Sequence, residues 1–342
     1  MVRRIIALGM GAATLAACGG SGGSGSGSGS VPVVTAPAPG PTPTPTAPPT
    51  PAAPPYPTVV QLAGDQQFRT SCASLVFNGT PPQAPPVPTF GSGLTLAYAA
   101  ATQTWTVSAD AAFQPFFGSQ PRSYGPADRD PGAPAGVNTW LKTSTGFQER
   151  FTLGQPTAAG AIPDYLRGFS LRTPIYGETR PGAPALQYSC LYGVPTRLDD
   201  PPRTAAAVTF TRTGFNGVAY AQPTTGGLET YALAGSPVTL TVDLTTYRVS
   251  ATVKLTGALV SASGTAAQTT DLGTYTGEVT IDEAGFYNGL LRSTDRTVQA
   301  ASFGGWFFGP QGAEAGFNVA IMAQDAGTER RISAIGNAVA LR

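Results

Sequence analysis

Few residues in this chain are of types that could do chemistry. Its 342 residues include three cysteines and no histidine. Without histidine there can be no Ser-His-Asp or Cys-His catalysis, no histidine zinc site and no histidine-ligated haem. Among the carboxylates, Glu314 has no second carboxylate or base at a spacing suited to catalysis, and the Asp-Arg-Asp-Pro-Gly segment at 128–132 lacks the further ligands of a calcium loop. We therefore expect a protein that is not an enzyme and has no cofactor.

Composition narrows the class of protein further. The formal net charge is +1 and charged residues make up only 11% of the chain, so nothing suggests a nucleic-acid partner. Hydrophobic residues make up 41%, which is enough for a folded core. The 43 glycines and 33 prolines favour turns and linkers over helices.

Cys18 lies at the end of an export signal. Arg3 and Arg4 precede an apolar segment at 5–17, which is too short to span a bilayer but has the length of a signal-peptide core. This segment ends in Leu-Ala-Ala-Cys, which resembles the lipobox of bacterial lipoproteins; a plain secretory signal is the alternative. The resemblance implies a lipoprotein signal peptide at 1–17 and acyl chains such as palmitate on Cys18. The following Gly19, in place of Asp, then favours sorting to the outer membrane.

The two other cysteines, Cys72 and Cys190, belong to the exported part of the chain. Because an exported protein folds in an oxidising compartment, we predict a disulfide between them, with two buried free thiols as the alternative. The bridge would close a loop of about 118 residues. It would join the first strand region of an N-terminal domain to its last.

Residues 18–57 have the composition of a tether. Gly and Ser alone make up 19–30, and 31–57 are rich in proline. The first composition is flexible and the second is extended, so at ~3.1 Å per residue the proline-rich part could reach about 80 Å. We interpret 18–57 as a lipidated cysteine followed by a disordered linker that holds a domain away from a membrane.

Alternation of apolar and polar residues predicts strands in the last third of the chain. A period of two is typical of strands that are half buried. Eight strands with short links favour a closed antiparallel up-and-down barrel, with a β-sandwich as the structural competitor. The predicted strands are residues 208–220, 238–244, 247–255, 275–281, 285–291, 299–308, 315–323 and 330–341.

Residues 58–204 show weaker patterns. Strands are predicted at 94–98 and 104–107, followed by a loop-rich region, so we expect a β-rich domain with long loops. Aromatic and arginine side chains in that region are either a protein-binding surface or local core. They are Phe113, Phe116, Phe117, Arg122, Tyr124, Arg129, Trp140, Phe147 and Arg150.

A motif near the C-terminus resembles that of a known family. Residues 303–317 are Phe-Gly-Gly-Trp-Phe-Phe-Gly-Pro-Gln-Gly-Ala-Glu-Ala-Gly-Phe. They resemble the Gly-Gly-x-Phe-Tyr-Gly-Pro-x-Ala-x-Glu-x-Gly-Gly-x-Phe signature of transferrin-binding protein B-like surface lipoproteins. The resemblance implies a single-lobe member, with a β-rich handle-like domain at 58–204 and an eight-stranded antiparallel up-and-down β-barrel at 205–342. The matching positions are Gly304, Gly305, Phe307, Gly309, Pro310, Glu314 and Gly316.

Physical roles can be expected for this barrel motif. The glycines at 304–305 permit a close approach or a bulge, and the aromatic residues at 306–308 supply bulk for the barrel interior. Gly-Pro at 309–310 predicts a turn. We expect Glu314 to accept backbone N–H bonds across that turn.

The resemblance also implies a function. We expect an outer-membrane-anchored, surface-exposed binding protein or receptor for an iron- or haem-carrying protein of host or environment, or for another solute. Its partners would be that carrier, an outer-membrane transporter or surface-export partner, and the membrane through the lipid anchor. The alternative is a structural or adhesive envelope lipoprotein with no nutrient cargo.

Overall fold

Antiparallel strands form nearly all of the regular structure. The computed structural model describes residues 56–111, 113–144, 146–175, 184–200, 207–260, 269–281 and 287–342. The signal segment, Cys18 and the tether up to residue 55 lie outside these residues, as does the predicted strand start at 285–286. Within them, helical structure is limited to α1 (Gln114–Phe117) and short 3-10 turns. No helix in the described ranges is long and apolar enough to cross a membrane.

The first eight strands form one sheet. They are β1 (Gln66–Phe77), β2 (Leu94–Ala99), β3 (Thr104–Ala109), β4 (Arg122–Tyr124), β5 (Asn138–Ser144), β6 (Phe147–Gly154), β7 (Leu166–Pro174) and β8 (Ala185–Gly193). Their order is β4-β3-β2-β1-β8-β7-β6-β5, so β1 and β8 lie side by side in the middle. The sheet curls on itself, since Tyr124 of β4 stacks on Phe151 of β6 with ring centroids 4.7 Å apart. More of this region is strand than the sequence predicted, because β4 to β7 occupy the segment expected to be loop-rich.

The remaining strands form the second sheet. They are β9 (Ala207–Phe210), β10 (Arg212–Gln222), β11 (Glu229–Ala232), β12 (Val238–Asp243), β13 (Arg248–Leu259), β14 (Thr269–Thr280), β15 (Tyr287–Leu290), β16 (Arg296–Phe308), β17 (Glu314–Asp325) and β18 (Arg331–Leu341).

These ten segments occupy eight positions around a barrel. Only Thr211 separates β9 from β10, and these two pair with β12 and β11 respectively. In turn, β11 and β12 pair with successive parts of β13. The segments β9 and β10 are therefore two parts of one interrupted barrel strand, and β11 and β12 are two parts of the next one. Pairing of β10 with β18 joins the first strand to the last, and a bridge between Thr276 and Arg292 links β14 to the end of β15, so the barrel is nearly closed. The predicted eight-stranded antiparallel barrel is confirmed.

The barrel interior follows the alternation in the sequence. Along β13, Val249, Ala251, Val253 and Leu255 are buried in the barrel core, while the residues between them face outward. Because β13 has one dry and one wet face, the period of two is strict along it. The strands β17 and β18, which contact β1 and β8 of the first sheet, are buried on both faces.

The first sheet encloses an aromatic core of its own. Phe117, Tyr124 and Trp140 are at most 1% exposed. The buried Glu149 carboxylate accepts hydrogen bonds from Arg122 Nη1 at 2.8 Å and from the Tyr124 hydroxyl at 2.7 Å. These residues are packed inside the first sheet, which favours the local-core alternative over a binding surface.

The predicted disulfide is present. Cys72 of β1 and Cys190 of β8 are directly opposite each other in the antiparallel register and are bonded, with Cα atoms 4.1 Å apart. The bond joins the first and last strands of the first sheet, as the sequence predicted.

Candidate ligand-binding site

The barrel motif lies where the two sheets meet. On β16, Phe303 and Phe307 point into the barrel core. The alternate residues Trp306 and Phe308 point outward and pack with Phe90 of the first-sheet region. The prediction that all three aromatic residues at 306–308 fill the barrel is therefore wrong for two of them, because successive side chains of a strand face opposite sides.

Glycines of the motif allow the first sheet to approach the barrel wall. A Cβ on Gly304 would lie 3.1 Å from Val87, and one on Gly316 would lie 2.8 Å from Leu166. Gly309 has a φ of +72° and packs against the Tyr165 ring, so it needs both glycine's conformation and its lack of a side chain. The glycines at 304–305 were expected to permit either a close approach or a bulge. Gly304 permits a close approach, since the bulge of β16 lies elsewhere, between Val298 and Ala300.

The Gly-Pro segment at 309–310 makes the expected turn, but Glu314 has other partners than predicted. Its carboxylate accepts the backbone N–H groups of Asp164 at 2.5 Å and Tyr165 at 3.0 Å, in the loop that enters β7. Glu314 is 4% exposed, and burial raises its pKa to about 7, against the lowering effect of the two N–H groups. Pro310 begins a 3-10 turn that places Glu314 at the start of β17, facing the first sheet.

A row of asparagines crosses the same face of the barrel. Asn216, Asn337 and Asn318 are successive partners on β10, β18 and β17, and the row continues through Gly304 to Asn288 on β15. Three of them donate Nδ2–H bonds to the first-sheet region, on the Val87 carbonyl, the Ser71 carbonyl and the Ser189 hydroxyl. Asn216, at the end of the row, is exposed and lines a cleft of about 280 Å³ between the sheets. The row and the motif fix the two sheets together.

A separate pocket opens where the core of the first sheet reaches the surface. It has a volume of about 250 Å³. One wall is a continuous set of aromatic rings, in which Tyr98 and Trp105 have centroids 4.7 Å apart and Trp105 and Tyr192 6.3 Å apart. Phe68 lies behind Tyr192 at 5.0 Å. Tyr98 and Trp105 are only half-buried, so the wall is open to a ligand.

Arg167 lines this pocket and is 8% exposed. Arg167 lies on the same face of β7 as Phe169 and Leu171, which pack in the aromatic core. At this position the alternation of the strand predicts an apolar residue. Its Nη1 donates to the carbonyls of Pro163 and Leu166, the latter at 2.7 Å. No carboxylate of the described residues lies within 4 Å of its guanidinium. Within the described residues, the hydrogen bonds of this buried cation therefore go only to backbone carbonyls.

Exposed apolar residues border the pocket. Val60 is 78% exposed and lies between the lining residues Val59 and Leu62. Val137, 41% exposed, lies between the lining residues Gly136 and Asn138. We call Tyr98, Trp105, Tyr192 and Arg167 with this apolar border the Arg167 pocket.

Reasoning from the sequence did not find the Arg167 pocket. The usable signal was Arg167 itself, two and four residues before Phe169 and Leu171 in a strand. A charged residue on the same face of a strand as core residues indicates either the end of the sheet or a ligand-binding site.

Metal binding has no support in the described ranges, where no group of three or more acidic, cysteine or histidine residues could hold an ion. No family model and no curated protein matches the chain.

Solved structures similar to this chain include a mutant of transferrin binding protein B from Haemophilus parasuis Hp5 (9% identity, TM-score 0.35, covering 82% of this chain and 77% of that one). Another is HpuA from Kingella denitrificans in complex with human haemoglobin (11% identity, TM-score 0.31, covering 81% and 87%). A third is transferrin binding protein B from Neisseria meningitidis (11% identity, TM-score 0.26, covering 81% and 77%). Likeness at these TM-scores does not establish function.

Proposed function

We propose that this protein is a surface-anchored binding protein and that its partner docks at the Arg167 pocket. The observation that carries the proposal is an open wall of Tyr and Trp beside a buried Arg, bordered by exposed apolar residues. Tyr, Trp and Arg are the residues that dominate the binding energy of protein interfaces, above all where water is excluded. A protein partner can cover the apolar border, which a small solute cannot.

The site is pre-organised by its surroundings. The disulfide at Cys72 and Cys190 lies on the two strands that carry Phe68 and Tyr192. Glu314 holds the loop that leads to Arg167. A pocket whose walls are fixed before binding loses less entropy when it binds.

The anchor and partner class follow from the sequence. In this proposal acyl chains on Cys18 hold the protein on the outer membrane and residues 19–57 carry the folded part outward. The barrel motif at 304–316 supports an iron- or haem-carrying protein as the partner, with an outer-membrane transporter receiving the cargo. Neither role requires a catalytic residue.

Binding to purified carrier proteins tests the proposal. The full mature chain, kept soluble by Cys18→Ala, is immobilised and offered transferrin or haemoglobin. We expect saturable binding of one of them, and at least a tenfold rise in Kd for Trp105→Ala, equivalent to about 1.4 kcal/mol.

Tyr247→Ala is the matched control, because Tyr247 is an exposed aromatic residue (62%) in the turn between β12 and β13 and does not line the pocket. It should bind as the unmodified chain does. Retention of neither carrier would contradict the carrier assignment. Equal affinities for the unmodified chain and Trp105→Ala would contradict docking at the pocket.

A further inference from the structure

The charge in the Arg167 pocket is not explained by the fold. Arg167 is more than nine-tenths buried, and a buried charge is normally paired because its desolvation costs several kcal/mol. Its Nη1 binds two carbonyls, but a guanidinium has five N–H donors. Within the described part of the chain, no partner is found for the other three, on Nη2 and Nε. Because Arg167 lines the pocket, these are the donors that it has left for a ligand there.

The charged groups around Arg167 do not neutralise it. Glu314 is near enough for its pKa to be lowered by Arg167, but the two form no ion pair within 4 Å, and both Glu314 oxygens accept backbone N–H groups on the barrel side. Tyr192 is the titratable group of the pocket wall, and burial raises its pKa, so it remains neutral. Among the residues that line the pocket, Arg167 alone carries a charge, and it lies beside flat aromatic rings.

We infer that the Arg167 pocket recognises a carboxylate carried next to an aromatic or similarly flat apolar group. The guanidinium fork matches a carboxylate with two parallel N–H···O bonds, and the ring wall of Trp105 and Tyr98 would stack on the apolar part. This inference rests on the proposed function, because it names what the same pocket recognises. Because the proposed partner is a protein, the carboxylate is that of a polypeptide chain end, and a free aromatic acid is the competing source that the test distinguishes.

Two pairs of probes separate charge from shape and distinguish the two sources. Phenylacetate and its neutral isostere phenylacetamide represent the free acid. The peptide acetyl-Gly-Gly-Phe, with a free or an amidated carboxyl end, represents the chain end. Binding is followed by the fluorescence of Trp105, which is half-buried whereas Trp140 and Trp306 are 1% and 7% exposed, and by calorimetry on the same samples.

We expect each acid to bind at least tenfold more tightly than its neutral counterpart, and the preference to vanish in Arg167→Gln. Arg172→Gln is the matched control, since Arg172 is an exposed arginine on the same strand. It should keep the full preference. The peptide acid should bind more tightly than phenylacetate, and the reverse order would contradict the chain-end source.

Equal binding of acid and amide by the unmodified chain would overturn the inference and leave the pocket as an apolar docking site. Because this comparison needs no variant, it holds even if Arg167→Gln does not fold. Absence of binding by all four probes would also overturn it, and the carrier-binding test then decides the proposed function on its own.

Discussion

Two buried ionisable residues act on one short loop. Glu314 accepts the N–H groups of Asp164 and Tyr165, and Arg167 donates to the carbonyls of Pro163 and Leu166. The loop entering β7 is therefore held from the barrel side by an acceptor and from the pocket side by a donor. A change at Glu314 should be felt in stability, and a change at Arg167 in recognition.

The stability of the protein should depend on the protonation of Glu314. Burial raises the pKa of Glu314 from 4.5 to about 7 in the folded state. Between these values the folded protein keeps a proton that the unfolded chain releases, so the free energy of unfolding falls as pH rises from about 4.5 to 7. We expect a loss of about 2 kcal/mol over this range. With no histidine in the chain, no side chain of ordinary pKa titrates in the upper part of this range, above about pH 5.5.

Urea unfolding at a series of pH values from 4.5 to 8 measures this dependence. Glu314→Gln should be nearly flat across the range. Glu278→Gln, a change at an exposed carboxylate, should keep the slope. The same slope in Glu314→Gln would show that another group is responsible.

At the level of elements, the disulfide connects β1 and β8 in the middle of the first sheet. It closes a long loop, since 118 residues separate Cys72 and Cys190. Both strands also carry pocket residues, Phe68 and Tyr192. The bond that lowers the conformational entropy of the unfolded chain therefore also keeps the pocket wall in place.

Removal of this bond should be costly. The chain-entropy model predicts that Cys72→Ala with Cys190→Ala lowers the free energy of unfolding by roughly 4–5 kcal/mol. Denaturant unfolding of the two proteins without reductant measures the difference. A thiol assay on the unfolded unmodified protein should find neither Cys72 nor Cys190 reactive, and two reactive thiols would contradict the bridge.

The sequence predicted the barrel far better than the first sheet, for a physical reason. Barrel strands such as β13 have one face in the core and one in water, so their residues alternate. By contrast, the first four residues of β7 are all buried, so the strand alternates only from Phe169 onward. Only the four-residue β11 was missed in the barrel, because residues 233–237 interrupt the strand it shares with β12. The role of Arg167 was hidden because an arginine in a strand is ordinarily exposed.

On the scale of the whole molecule, glycine, asparagine and backbone contacts join the two sheets. The Thr196 N–H donates to the Phe307 carbonyl at 2.9 Å, and the Gly309 N–H to the Val194 carbonyl at 2.9 Å. Four of the six asparagines in the chain lie in the row across the barrel wall. The motif at 304–316 therefore makes contacts between the two sheets in addition to forming part of the barrel.

The proposed anchor makes a prediction at this scale. Cys18→Ala removes the acyl chains, each buried CH₂ of which contributes about 0.8 kcal/mol to membrane binding. The protein should then leave the membrane fraction after a carbonate wash, while Ser21→Ala in the tether should remain with it. Continued membrane association of Cys18→Ala would contradict the lipid anchor.

Binding of a labelled carrier to intact cells tests the central claim most directly. Cells displaying the lipidated protein are titrated with labelled transferrin or haemoglobin, with equal surface amounts of Trp105→Ala and Tyr247→Ala for comparison. We predict saturable binding of one carrier, unchanged by Tyr247→Ala and weakened at least tenfold by Trp105→Ala. Binding that is absent, or that Trp105→Ala leaves unchanged, would contradict a surface receptor that uses the Arg167 pocket.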